Sequence, residues 1–140
     1  KRQVNFRANN LQTKNPIRGV LLVLILFFPA LIGIFFATSP HYVHDRLVRA
    51  GDETTESSEK ILRYSQALQI SSTDWSTRLK RARAFVAEQE LNYAFGDLRV
   101  IIAEGGHTAE LQQFANELDS LDYTNAAWQL RRMISHQDRE

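Results

Sequence analysis

Asp74–Gly106, DWSTRLKRARAFVAEQELNYAFGDLRVIIAEGG, is the stretch that decides the fold of this chain. Its apolar residues recur every three or four positions. Trp75, Leu79, Ala82 and Val86 share one helical face, and Leu91, Ala94, Phe95, Leu98, Ile101 and Ile102 share another. The preceding Ser71-Ser72-Thr73-Asp74 offers side-chain oxygens to the unpaired N–H groups of a helix start. Gly105-Gly106 supplies the glycine that commonly ends a helix. The first helix is expected to run to about Gln89 and the second over about Glu90–Glu104, so with only a short turn between them, flanked by Glu88 and Glu90, they must lie antiparallel as a hairpin.

The same period continues on both sides. Downstream, a helix is expected from Thr108 with Leu111, Phe114, Ala115 and Leu118, and another from about Thr124 with Ala127, Trp128, Leu130 and Ile134. Upstream, Ser58–Ile70 aligns Ile61, Tyr64, Ala67 and Leu68. Further back, Ser39-Pro40 reads as a helix start, with that helix expected to stop at Gly51 and the polar run Asp52–Ser58 as its linker. No stretch alternates like a strand, and no proline follows Pro40. The fold class is therefore all-α.

Self-similarity appears at a spacing near 34 residues: Tyr64 with Leu98, Ala67 with Ile101, Ala82 with Ala115 and Phe85 with Leu118. Arg81-Ala82 followed by Phe85, then Ala94 and Leu98, resembles the tetratricopeptide repeat, a helix–turn–helix unit of about 34 residues. Ala82 and Ala94 are small where helices must approach closely, and Phe85 and Leu98 fill the space beside them as the repeat core. Departures are visible: Arg78 stands at the tryptophan position, Arg81 at a leucine position and Gly106 at the closing proline. The resemblance implies protein or peptide binding in a concave groove, and Arg78, Arg81, Glu88 and Gln112 are the candidate partner-binding residues it suggests.

Near the N-terminus, Gly19–Ala37 (GVLLVLILFFPALIGIFFA) lacks any charge, amide or hydroxyl. At 1.5 Å per residue it would form a helix of about 28 Å, close to the thickness of a bilayer core. A transmembrane helix is therefore expected, longer in its apolar core than a cleaved signal. Pro29, Ala30, Gly33 and Ala37 make a small-residue stripe for packing against a neighbouring span. Residues 1–18 carry five basic side chains and no acid, whereas 41–140 carry twelve basic and sixteen acidic. That asymmetry predicts a cytoplasmic N-terminus and a periplasmic domain on a bacterial inner membrane. The expected organisation is thus a basic tail (1–18), a transmembrane helix (19–38), a juxtamembrane helix and linker (39–57) and a tetratricopeptide-like domain (58–140).

Chemistry is not signalled. The chain has no cysteine, which excludes disulfides and thiolate metal sites. His41 and His44, three apart, could face a metal but have no third ligand nearby in sequence, so no metal or other cofactor is expected. No nucleophile, base and orienting group fall into a hydrolase or phosphate-binding motif. The basic run Arg78, Lys80, Arg81, Arg83 is offset by acidic flanks, so neither nucleic acid nor a small-molecule substrate is expected. The sequence points to a non-catalytic interaction subunit, with the lipid bilayer and other membrane-protein subunits as partners through the span and the helical domain. The alternative is a structural supernumerary subunit of an energy-converting (respiratory or photosynthetic) or transport complex, held by its span.

Overall fold

The computed structural model describes residues 39–105 and 107–137, which belong to a compact unit beginning at Ser39. Six helices follow one another: α1 (Pro40–Glu53), α2 (Ser57–Ile70), α3 (Trp75–Ala87), α4 (Leu91–Glu104), α5 (Thr108–Ser120) and α6 (Thr124–Gln137). Connections of a few residues force neighbours antiparallel, giving the hairpins α1–α2, α3–α4 and α5–α6. Side-chain contacts show that the first arms run parallel. Trp75 stacks on His107 at 3.8 Å near the starts of α3 and α5, and Arg83 reaches Glu117 in their last turns. Likewise His44 meets Asp74 at one end of α1 and α3, and Asp52 meets Lys80 further along. The three hairpin turns therefore share one end of the six-helix domain.

The main buried cluster is built by α3 to α6. Ala82, Ala94, Leu98, Ile101, Phe114, Ala115, Ala127 and Leu130 are all essentially inaccessible. Alanines at Ala82 and Ala115, and again at Ala94 and Ala127, recur 33 residues apart where helix axes pass closest. Phe85 sits at the edge of this cluster, half-buried beneath Tyr93, with ring centroids 5.4 Å apart. The first hairpin closes differently. Gly51 lies inside α1, because the helix continues to Glu53. A Cβ at Gly51 would stand 2.5 Å from Cε1 of Tyr64, so the missing side chain admits the tyrosine ring. The Tyr64 hydroxyl donates to Asp52 at 2.8 Å. The glycine that reads as a stop in the sequence is a contact surface for α2.

Polar groups join one hairpin to the next. Asp97, 4% exposed, accepts from Arg81 Nε at 2.8 Å and Nη2 at 2.6 Å, with Arg78 Nη1 3.6 Å away. Arg81 also donates to Ser65 at 3.0 Å, so this cluster ties α2, α3 and α4 together. Arg131 pairs with Asp119 at 2.6 Å and donates to Asn116 at 2.8 Å, fixing α6 on α5.

The expected membrane-anchored, tetratricopeptide-like architecture is corrected to an all-α domain of six helices. Among the described residues no helix is long and apolar enough to cross a membrane. The helices have 13 or 14 residues, about 20 Å, and each is amphipathic around an interior it shares with its neighbours. Gly19–Ala37, its stripe Pro29, Ala30, Gly33 and Ala37, and the basic tail all lie outside the described residues. Bilayer partnership, contact with other membrane subunits through a span, and a single-pass inner-membrane location with a periplasmic domain have no support in the described structure, and those expectations are set aside. The repeat resemblance is also corrected, for a local reason. Two of its apolar positions hold Arg78 and Arg81, and both side chains turn to the buried Asp97 instead of joining the hydrophobic packing.

Candidate functional site

Helices α3 and α5 end in the same way, 33 residues apart. At the end of α3 the N–H of Gln89 donates to Val86 at 2.9 Å and that of Glu90 to Phe85 at 2.8 Å. At the end of α5 Asp122 donates to Asp119 at 3.1 Å and Tyr123 to Leu118 at 2.9 Å. These are the paired closing bonds of a Schellman motif, which needs one left-handed residue. Glycine usually fills that place, yet here Gln89 (φ 61°) and Asp122 (φ 64°) do so. The reversal carries each chain sharply away from its helix axis and leaves a gap between the two helix ends.

That gap is a cavity of about 520 Å³. Its floor and walls are Val86 and Ala87 of α3, Phe114 and Leu118 of α5, and Leu121 and Tyr123 from the following turn. Leu121 is 57% exposed, an apolar side chain left at the mouth. Arg83 and Glu117 close one side through a bidentate pair of 2.7 and 2.9 Å. The Arg83 guanidinium also lies 5.4 Å from the Phe114 ring centroid, stacked over the floor. Since the two charges on the wall neutralise each other, the interior presents an apolar surface with a polar edge. Such a hollow is suited to burying an aliphatic or aromatic side chain and offers no set of groups for bond chemistry.

A smaller cavity of about 290 Å³ lies between α1 and α3, lined by His44, Asp45, Val48, Arg49, Asp52, Asp74, Ser76 and Thr77. Asp52, Asp74 and Thr77 in its lining are engaged in holding the fold. Asp74 caps α3, accepting from the N–H groups of Ser76 at 3.0 Å and Thr77 at 3.3 Å, and from Thr77 Oγ1 at 2.6 Å. Burial pushes the Asp74 pKa up, but the Thr77 hydrogen bonds and nearby His44 outweigh it, so the carboxyl titrates below its usual value. Asp52 is likewise lowered: burial acts upward, and the bonds from Lys80 and Tyr64 prevail. The Tyr64 hydroxyl is raised by burial and by the Asp52 carboxylate it donates to. His44 places Nε2 3.1 Å from Asp74 Oδ2 and Nδ1 3.2 Å from Asp45 Oδ1. Both ring nitrogens stand within ion-pair distance of a carboxylate, though the buried Nε2 is not aligned for a hydrogen bond, and His41, one turn earlier on α1, is exposed.

The structure disperses the residues singled out from the sequence. Arg78 and Arg81 converge on Asp97, with Arg78 Nη2 also donating to the Ser72 carbonyl at 2.5 Å. Glu88 caps the end of α3 beside Gln89, on the lip of the larger cavity. Gln112 is exposed on α5 and does not line that cavity. Ala82, Ala94 and Leu98 are buried in the main cluster, with Phe85 at its edge. His107, the residue before α5, has φ 60° and stacks on Trp75. Sequence reasoning read Arg83 only as part of a basic run and Phe114 and Leu118 only as core positions, and it passed over Leu121. The 34-residue separation of Arg83 and Glu117 was the available signal, because it matches the repeat spacing.

No protein-family model matches the chain, and neither a curated protein nor a solved structure matches it either. The tetratricopeptide resemblance therefore stands on no relative.

Proposed function

We propose that the six-helix domain is a non-catalytic protein-interaction module that seats an apolar side chain of a partner polypeptide in the cavity between α3 and α5. The observation that carries this reading is the cavity itself: an apolar floor of Val86, Phe114 and Leu118, open to solvent, with Leu121 exposed at its mouth. An exposed leucine beside a preformed apolar hollow is a surface that gains from being covered. The non-catalytic part of the reading is supported by how the ionisable side chains are used. Arg78, Arg81, Arg83 and Lys80 each hold a carboxylate of the same fold, and Asp74 holds a helix end.

Selection of unstructured peptides from a random display library against the 140-residue chain tests the proposal. Enriched peptides are expected to contain a leucine or aromatic residue. They should lose binding to Ala87→Trp, which plugs the cavity from an exposed lining position, and retain it with Arg99→Ala on the outside of α4. Peptides that bind Ala87→Trp as well as the parent chain would overturn the reading, as would failure to enrich any apolar-containing sequence.

A further inference from the structure

Three turns close the hairpins, and all three lie at the end of the six-helix domain where the cavity opens. They contain acids and no base. Glu56 lies in the first, just after Glu53 at the end of α1; Glu88 and Glu90 lie in the second; and Asp122 lies in the third, just after Asp119 in the last turn of α5. Around the cavity the placement is close: Glu88 and Glu90 are the chain neighbours of Gln89, a lining residue, and Asp122 lies between the lining residues Leu121 and Tyr123. The cations in reach are already committed, Arg83 to Glu117 and Arg131 to Asp119. Glu88, Glu90 and Asp122 are exposed and have no ion-pair partner among the described residues. Charges on the immediate neighbours of lining residues stand well within a Debye length, about 8–10 Å, of anything at the mouth.

We infer that the occupant of this cavity is a basic segment of a partner protein: an extended stretch with one leucine or aromatic side chain and Lys or Arg on both sides of it. The inference rests on the reading of the cavity as a docking site and adds the chemical class of what docks. The apolar residue lies on Phe114 and Leu118. The flanking cations face Glu88 and Glu90 on one lip and Asp122 on the other. An acidic partner would place like charges against both lips, and a neutral one would leave the unpaired carboxylates uncompensated. Electrostatic complementarity of this kind acts mainly on encounter rate and partner discrimination, so salt must weaken the complex.

Fluorescence anisotropy with labelled synthetic peptides of about nine residues, roughly 30 Å when extended, tests this on the 140-residue chain. The central residue is Leu, Phe or Ala, and the flanks are Lys/Arg, Gln/Ser or Glu/Asp. Basic peptides with Leu or Phe at the centre should bind about tenfold more tightly than their neutral counterparts, and weaken between about 50 and about 300 mM NaCl. The triple variant Glu88→Gln, Glu90→Gln, Asp122→Asn alters only exposed side chains and should abolish the preference for basic flanks. Asparagine keeps the left-handed backbone at Asp122. Equal binding of neutral and basic peptides, with Leu above Ala, would overturn the basic class and leave the docking site standing. Binding that ignores the central residue, or no binding at all, would overturn both. A basic preference that survives the triple variant would overturn the assignment to these carboxylates.

Discussion

Asp97 shows how much one side chain is asked to do. It is buried, it receives two bonds from Arg81, and Arg78 stands close by. Removing one partner of a buried pair strands the other charge, typically at ~3–5 kcal/mol. Both arginines keep some solvent, which lowers the expected cost of Asp97→Ala to about 2–4 kcal/mol in urea unfolding. Arg81→Met combined with Asp97→Leu should recover most of that loss, since an apolar pair of similar volume carries no desolvation penalty. Two glycines make a matched contrast. Gly96, within α4, has nothing within 4 Å of where a methyl would stand, so Gly96→Ala should stabilise by ~0.5–1 kcal/mol through helix propensity alone. Gly51→Ala gains the same propensity but drives a methyl into Tyr64, whose ring is buried and tethered to Asp52. Overpacking costs typically ~1–3 kcal/mol, so this change should lower the melting temperature. Opposite signs at the two positions are the expected result.

Among the elements, α3 is the one gripped from both ends. Its start depends on Asp74, and Asp74→Ala should cost about 1–2 kcal/mol from lost capping. The same carboxyl ties stability to pH. Its pKa is lowered in the folded state, so its contribution is fully present above the unfolded value near 4 and disappears as pH falls through the folded one. Asp52 acts with the same sign. Urea midpoints measured downward from about pH 5 should therefore decline below pH 4, and Asp74→Asn should flatten that decline. The starts of α2 to α6 were legible in the sequence to within about two residues, because the period of Leu79, Ala82, Val86 and of Leu111, Phe114, Ala115, Leu118 admits no other element. What was not legible has physical causes. Gly51 has the form of a helix stop and acts as a contact, which only the approach of Tyr64 reveals. Gln89 and Asp122 take a backbone conformation that composition assigns to glycine, so the turns that shape the cavity left no mark. Arg78 and Arg81 look like exposed cations until Asp97 of another helix is brought against them.

At the scale of the whole molecule, packing links helices that are near in sequence, and such topologies fold quickly, in microseconds to milliseconds. The main buried cluster runs from Leu79 to Ile134 and takes nothing from α1 or α2. Native-state hydrogen exchange should accordingly find the amides of α1 and α2 opening at lower free energy than those of α3 to α6. Uniform protection across all six helices would contradict this division of the core. The two left-handed turns at Gln89 and Asp122 bear on how a ligand would be received. Side-chain-bearing residues are confined there by their own sterics, so the lips of the cavity have little conformational freedom left to lose. A partner seated as proposed would meet a mouth whose entropy has already been given up during folding, and glycine at either lip would return that entropy to the unbound state and shorten the lifetime of such a complex.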